Sequence, residues 1–187
     1  MMMPLEKPAD REPIQNRKME VSSYRRSDGQ WDVEGRLRDT SAYSFQNDYR
    51  GTIKPGVPIH DMWIRLTLDH NIIITSIDVA MDGTPYAMCS GIETTFQTLK
   101  GEHIGPGWNR KLRSLFGGSK GCIHMIDLLR PIGTVGYKTV KREVENKNKN
   151  PMKEREDTPY QINTCHAMDS NGTVVKERWP HLYTGAS

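Results

Sequence analysis

The sequence predicts an α+β fold in which antiparallel hairpins form a β-sheet that two or three helices cover on one side. Three observations favour this fold. Apolar residues alternate with polar ones in the runs 62–68 and 73–81, which is the period of strands with one buried face. Residues 69–71 between these runs, Asp-His-Asn, suit a turn, so we expect a hairpin. Apolar residues at helical spacing follow in residues 88–99, and Gly101 ends this predicted helix.

The preceding part of the chain predicts a second hairpin. Residues 19–23 alternate in polarity, residues 27–29 read Ser-Asp-Gly and suit a turn, and residues 31–37 alternate again. The interval 39–57 is predicted to be mostly loop. Its aromatic residues indicate packing against a groove rather than exposure to solvent.

Two further helices and a terminal hairpin complete the predicted elements. A short helix begins at Trp108 and ends at the glycines of residues 117–118. A third helix begins near Cys122, and Pro131 either kinks or restarts it. Residues 160–175 include the turn sequence Asp-Ser-Asn-Gly, and we expect them to form a terminal hairpin.

The chain of 187 residues is long enough to bury a core without disulfides or metals. Residues 1–16 contain prolines and charges without periodicity, so we interpret them as a loose N-terminal arm. Residues 17–187 are predicted to form a single α+β domain. Within it, the charged interval 143–157 is rich in lysine and asparagine and is interpreted as an exposed linker or excursion.

Composition and charge exclude several classes of protein. The net charge of +3 is too small for a nucleic-acid-binding stripe. No run of about 18 apolar residues predicts a membrane span. Three cysteines without a signal peptide favour a reducing cytoplasm over a disulfide framework. No phosphate loop or dinucleotide fingerprint occurs, so we expect no nucleotide cofactor. The expected partner is a small-molecule substrate. Whether the protein forms a homo-oligomer is left open by the sequence.

Five chemically reactive side chains lie where predicted elements begin. His60 and Asp61 enter a strand, Cys89 lies in the first or second turn of a helix, and Cys122 and His124 open another helix. A strand entry and two helix entries can meet at one end of a covered sheet, where positive helix ends favour a thiolate or an anion. We therefore expect one shared site. The alternative is that these are unrelated element starts, with both cysteines packed as small buried residues.

Several motifs in this chain resemble a known family. The segments, in order, are I-H-D-M-W-I-R-L-T-L-D, G-T-P-Y-A-M-C, I-G-P-G-W, G-G-S-K-G-C-I-H-M-I-D-L-L and N-T-C-H-A. From about residue 17 to residue 183 the chain is similar to the bacterial domain of unknown function family 2889. The resemblance implies that relatives of this protein occur in bacteria that often degrade aromatic compounds and steroids. It implies no defined activity.

The resemblance and the site residues together predict a cytoplasmic enzyme, most simply a lyase that cleaves a carbon–carbon or carbon–oxygen bond of an aromatic or phenolic metabolite. His60 is the expected general base and Asp61 its orienting partner, because an imidazole titrates near neutral pH and a carboxylate fixes its tautomer. A structural alternative pairs Asp61 with Arg65 instead. Tyr86, Arg65 or His124 is expected to stabilise an oxyanion. The predicted catalytic residues are His60, Asp61, Cys89 and His124, and the predicted substrate-binding residues are Trp63, Arg65, Tyr86 and Trp108.

A second expected function is metal binding without catalysis. The order of elements is similar to that of U-type iron-sulfur scaffold proteins, although a histidine replaces the first cysteine and one residue separates the last pair. The enzyme interpretation requires no cofactor, but zinc or iron could be held by a chemically suited set, His60, Cys89, Cys122 and His124. Cys165 and His166 form a further pair, but neighbouring residues on a strand point to opposite faces.

Overall fold

The computed structural model describes residue 5 and residues 8–147 and 161–185. Contacts within the chain form two compact units, one within Met1–Glu143 and the other within Val144–Ser187. The first unit combines an antiparallel sheet with helices, so the predicted α+β class is confirmed. The prediction of one domain over residues 17–187 stays a prediction. Among the described residues, no helix combines the length and apolar character that crossing a membrane requires.

Strands precede helices along the chain. The strands are β1 (Gln15–Arg25), β2 (Trp31–Ser41), β3 (Phe45–Asn47), β4 (Gly51–Ile53), β5 (Pro58–Leu68) and β6 (Ile74–Gly83). The α-helices are α1 (Trp108–Phe116), α2 (Ile123–Lys147) and α3 (Thr173–Arg178). Segments of 3-10 helix span Ala87–Leu99, Gly118–Lys120, His166–Met168 and Pro180–Leu182.

The main sheet has the antiparallel strand order β1-β2-β5-β6, and β3 pairs with β4 in a separate hairpin. The two hairpins predicted from alternation are confirmed, because β1 pairs with β2 and β5 pairs with β6. Apolar side chains at alternating positions of the central strands are buried, such as Val33 and Leu37 in β2 and Ile64 and Leu66 in β5. One face of the sheet therefore forms the core.

Helix α2 packs closely on this buried face. A β-carbon added at Gly35 in β2 would lie 2.6 Å from Ile132 Cδ1, so the helix approaches the strand closely at this glycine, and a larger residue would force the Ile132 side chain to shift. A β-carbon added at Gly136 would lie 2.9 Å from Leu68 Cδ1. Pro131 lies inside α2 without ending it. The helix predicted to cover the sheet is thus one continuous element.

The helix predicted after β6 is a 3-10 segment rather than an α-helix. Three residues per turn place Glu93, Phe96 and Leu99 on one side of it. Phe96 and Leu99 are buried, and Glu93 Oε1 accepts a hydrogen bond of 3.1 Å from the N–H of Met81. Met88, which begins the predicted apolar stripe, is 80% exposed. The predicted apolar stripe is therefore wrong at its N-terminal end, because the segment has the period of a 3-10 helix and not that of an α-helix.

Two predicted irregular segments contain regular structure. Strand β2 extends to Ser41 and β3 pairs with β4, so the interval 39–57 is less irregular than predicted. Helix α2 extends to Lys147, because lysine, arginine and glutamate are good helix formers. The first residues of the predicted excursion, 143–147, are therefore helical, and residues 148–157 lie outside the described residues.

The second unit does not contain the predicted terminal hairpin in residues 161–175; residue 160 lies outside the described residues. The turn at Asp169 forms as predicted, since Asp169 Oδ1 accepts the N–H of Asn171 at 2.9 Å. That turn leads into α3 rather than into a strand. Cys165 is exposed, and His166 begins a short 3-10 segment.

Candidate functional site

Three polar side chains form a row across one end of the main sheet. Arg17 in β1 pairs in register with Asp39 in β2, and Asp39 pairs with His60 in β5. Asp39 follows the buried Leu37 by two residues, and His60 precedes the buried Met62 by two residues. Because side chains alternate along a strand, the row lies on the helix-covered face.

Asp39 is the central residue of this row. Its side chain is 1% exposed. Arg17 binds it with two N–H groups, since Nε lies 2.8 Å from Oδ1 and Nη2 lies 2.8 Å from Oδ2. His60 Nδ1 lies 3.0 Å from the same Oδ2 atom. Asp39 therefore orients the His60 ring, and Arg17 compensates the buried negative charge.

The surroundings of His60 favour its neutral form. Burial lowers the pKa of His60 from its ordinary value; Asp39 opposes this shift, and the positive charges of Arg17 and Arg50 add to it. Burial alone would raise the pKa of Asp39, but the hydrogen bonds and charges of Arg17 and His60 together outweigh burial and lower it. An ionised carboxylate only accepts hydrogen bonds, so the proton of neutral His60 lies on Nδ1 and the lone pair lies on Nε2.

The first turn of α2 lies over the row. Cys122 caps this helix, because its carbonyl accepts the N–H of Ile126 at 3.1 Å. The ring of His124 lies 3.8 Å from the ring of His60, measured between centroids, with 33° between their planes. His124 Nδ1 lies 3.6 Å from Cys122 Sγ. Burial lowers the pKa of His124, and the nearby His60 adds to this shift. Two imidazoles thus adjoin one buried carboxylate, and a thiol adjoins the second imidazole.

The predicted site residues are only partly brought together. His60, His124 and Cys122 lie together, as the shared site requires. Cys89 lies in the first turn of the 3-10 segment and is half-buried. Across the described ranges, the group whose potential metal-ligand atoms all lie within 4.8 Å of one another is Asp39, His60 and His124. The predicted four-residue metal set is not assembled, since neither Cys89 nor Cys122 belongs to this described group.

Asp61 lies on the opposite face of the sheet from His60, because neighbouring residues of a strand point to opposite faces. Its carboxylate accepts hydrogen bonds from Arg36 Nε at 2.8 Å and from Arg36 Nη2 at 2.7 Å. The prediction that Asp61 orients His60 is therefore wrong, and Asp39 is the residue that does so. The alternative that paired Asp61 with Arg65 is also wrong.

Two predicted substrate-binding residues lie on this open face as well. Trp63 is 37% exposed, and the guanidinium carbon of Arg36 lies 4.5 Å from the centre of its ring. Arg65 binds Asp78 with Nε at 3.0 Å and Nη2 at 2.9 Å. Trp63 and Arg65 line a shallow groove of about 190 Å³. The sheet separates that groove from the ring of His60.

The two remaining predicted substrate-binding residues do not adjoin the row in the described contacts. Tyr86 is 64% exposed. Trp108 is buried, and its Nε1 donates a hydrogen bond of 3.0 Å to Leu129 O in α2. Its indole also contacts α2 at Gly133, which is about 14 Å along the helix from His124. Trp108 is therefore a packing residue of the core.

Asp39 and Arg17 were not predicted from the sequence. A signal for Asp39 does exist, because it continues the alternation of Trp31, Val33 and Leu37 and so puts a charge at a buried strand position. No local sequence pattern indicates that Arg17 belongs to this row. Its contact with Asp39 depends on the register between β1 and β2.

Residues 15–138 match the family model described as "Protein of unknown function (DUF2889)", and the chain belongs to this family. The resemblance inferred from the motifs is thus confirmed for residues 15–138, whereas the N-T-C-H-A segment lies outside the matched range. The matched range includes the residues of the row and of the α2 start, namely Arg17, Asp39, His60, Cys122 and His124. No curated protein and no solved structure is significantly similar to the chain. The likeness to iron-sulfur scaffold proteins has no support from these comparisons.

Proposed function

We propose that this protein is a cytoplasmic enzyme that uses His60 as a general base on a small-molecule substrate. The contact of 3.0 Å between His60 Nδ1 and the buried Asp39 supports this proposal most directly. The carboxylate favours the tautomer with an unprotonated Nε2, and it stabilises the imidazolium that forms when Nε2 takes a proton. Free cysteines at positions 89, 122 and 165 are in keeping with a reducing compartment.

The reaction class that we propose is a lyase reaction. Nε2 of His60 takes the proton of a substrate hydroxyl group. The hydroxyl oxygen becomes a carbonyl as the adjacent carbon–carbon bond breaks, and the electron pair of that bond moves to an acceptor within the substrate. A one-carbon aldehyde could leave in this way. The step is redox-neutral and needs no oxidant or reductant.

His124 is the residue that we propose for stabilising the developing oxyanion. Its ring adjoins His60 at 3.8 Å, and an imidazole N–H is a hydrogen-bond donor. Arg65 lies on the open face of the sheet, and Tyr86 is largely exposed, so both are weaker candidates for stabilising the oxyanion. An aromatic or phenolic metabolite is the proposed substrate class because the resemblance implies relatives in bacteria that often degrade aromatic compounds.

Release of an aldehyde from a panel of hydroxylated aromatic compounds tests this function. We expect His60→Gln to lower turnover at least about 100-fold, since a positioned base contributes that much or more. Asp39→Asn should lower it strongly too, because the tautomer is no longer fixed. Asp61→Asn is the matched control, since it removes the same charge from the neighbouring residue on the open face. Full turnover by His60→Gln would overturn the proposal.

A second candidate function is binding of a transition-metal ion. Potential ligand atoms of Asp39, His60 and His124 lie within 4.8 Å of one another, and Cys122 Sγ adjoins His124. Imidazole and thiolate ligands suit zinc or iron. Arg17 weakens this candidate, because its guanidinium already neutralises Asp39 and would repel a cation. Stoichiometric zinc or iron in the purified protein, lost in His124→Ala, would favour metal binding.

A further inference from the structure

Arg50 lies beside the start of β5, in the turn that joins β3 to β4. Asn47 fixes this turn, because its Oδ1 accepts the backbone N–H of Arg50 at 2.8 Å. The side chain of Arg50 donates from Nη1 to Pro58 O at 2.7 Å and to Ile59 O at 3.4 Å. These two residues immediately precede His60 in the strand. The Arg50 guanidinium is therefore held beside the backbone that leads into His60.

Arg50 is half-buried as a residue and, in the part of the chain that the structure describes, no carboxylate lies within 4.0 Å of its guanidinium. Arg17, Arg36 and Arg65 each bind an aspartate with the edge formed by Nε and Nη2. In Arg50 the backbone carbonyls engage Nη1, which lies outside that edge. The edge with which this chain binds carboxylates thus remains for an external anion.

The charges around His60 favour an anionic ligand. Arg50 places positive charge near His60, and the N-terminus of α2 at Cys122 adds a partial positive charge. The buried carboxylate of Asp39 is already neutralised by its two hydrogen bonds from Arg17. Asp127 also lies near Arg17 and His124, and its charge is paired with Arg130. The charge of Arg50 therefore remains, so an anionic group gains more from this site than a cation does.

We propose that Arg50 binds an anionic oxygen of the substrate, a carboxylate or a phenolate, and holds the substrate beside His60. This inference rests on the proposed enzyme function and narrows its substrate class to anionic aromatic compounds. The planar guanidinium is fixed at Nη1 by backbone carbonyls, so it offers a preformed fork to an oxyanion. An uncharged aromatic compound of the same shape lacks this interaction and binds more weakly.

Titration of three probes tests this site, with the imidazole signals of His60 and His124 followed by NMR. Benzoate and 4-nitrophenolate distinguish carboxylate from phenolate recognition, and benzamide is the neutral isostere of benzoate. We expect one or both anions to bind at least about tenfold more tightly than benzamide. Arg50→Gln should remove that preference, and Arg50→Lys, which keeps the charge without the fork, should retain part of it.

Arg26→Gln is the matched control, because it removes the same charge from an exposed residue about 30 Å from Arg17 along β1. Equal anion binding by folded Arg50→Gln and wild type would overturn the inference, and so would absence of anion binding by the wild type at about 10 mM. Thermal denaturation verifies folding. If Arg50→Gln does not fold, unchanged anion affinity in Arg50→Lys overturns the inference instead.

His60→Gln separates this inference from the proposed function. If both are correct, His60→Gln loses turnover and keeps its preference for the anionic probe, whereas Arg50→Gln loses the preference. Turnover that survives in His60→Gln contradicts the general-base function and leaves the anion site standing. An anion preference that survives in Arg50→Gln contradicts the anion site and leaves the general base standing.

Discussion

The two faces of the main sheet contain the same kind of ion pair in different surroundings. On the helix-covered face Arg17 binds Asp39, whose side chain is 1% exposed. On the open face Arg65 binds Asp78 through the same two nitrogens, and Asp78 is 58% exposed. Water screens the open pair, whereas the covered pair lies against the imidazole of His60. The comparison shows that burial, rather than ion pairing itself, gives the carboxylate on the covered face its influence on His60.

The largest effect on stability is expected from Asp39→Ala. Its removal leaves Arg17 and His60 without their shared acceptor, and breaking a buried charged pair costs about 3 kcal/mol. Asp78→Ala on the open face should cost less than about 1 kcal/mol. Urea unfolding near neutral pH measures both free energies of unfolding. Equal losses in the two variants would contradict the contrast between the faces.

The helix cover that distinguishes the two faces can be disturbed at Gly35. We expect Gly35→Ala to cost about 1–3 kcal/mol, because the added methyl group would lie 2.6 Å from Ile132 Cδ1 in α2. Gly91→Ala is the control, since an added β-carbon there meets nothing within 4 Å. Denaturant midpoints of the two variants measure the difference. A fully stable Gly35→Ala protein would show that α2 does not pack on β2 as described.

Acid should weaken the covered face more than the open face. Burial lowers the pKa of both His60 and His124 below the ordinary value of 6.5. The unfolded chain therefore takes up protons at a higher pH than the folded protein does. Stability is full above that ordinary value and falls as the pH decreases through the lower folded pKa values.

Urea unfolding at several pH values measures this dependence. We expect His60→Gln to flatten the decrease in stability below neutral pH, because one of the two buried imidazoles is gone. His70→Gln, in the exposed turn between β5 and β6, is the matched control. An unchanged pH dependence in His60→Gln would show that His60 is not held neutral by burial.

The smallest effect on stability is expected from Arg65→Gln on the open face, and Arg17→Gln is its counterpart on the covered face. Arg65→Gln should change the free energy of unfolding by less than about 1 kcal/mol and leave the titration of His60 unchanged. Arg17→Gln should raise the pKa of His60, because it removes a cation that disfavours the imidazolium. NMR titration of His60 in both variants measures the difference, and a shift of equal size in both would contradict the separation by the sheet.

The hairpin of β5 and β6 was predictable because alternation is a local signal that each strand contains in full. The pairing of His60 with Asp39 was not, since it depends on the register of two strands. Asp61 was chosen as the partner of His60 because it is adjacent in sequence, although the alternation of strand side chains places it on the other face. The same alternation, continued past Leu37, would have indicated Asp39.

The helix after β6 shows a second limit. Apolar spacing alone does not distinguish three residues per turn from 3.6 over a short segment. Phe96 and Leu99 are buried in either case, whereas Met88 is buried only with the α-helical period, and it is exposed. The predicted metal set is a separate error, since neither Cys89 nor Cys122 belongs to the described group of potential metal ligands.

The tautomer and titration of His60, measured by nitrogen-15 NMR, test the central claim most directly. The claim is that Asp39 holds His60 as a neutral base with its proton on Nδ1. We expect that tautomer near neutral pH, a pKa of His60 below the ordinary 6.5, and loss of the tautomer preference in Asp39→Asn. A neutral His60 with its proton on Nε2, or a pKa above the ordinary value, would contradict the claim.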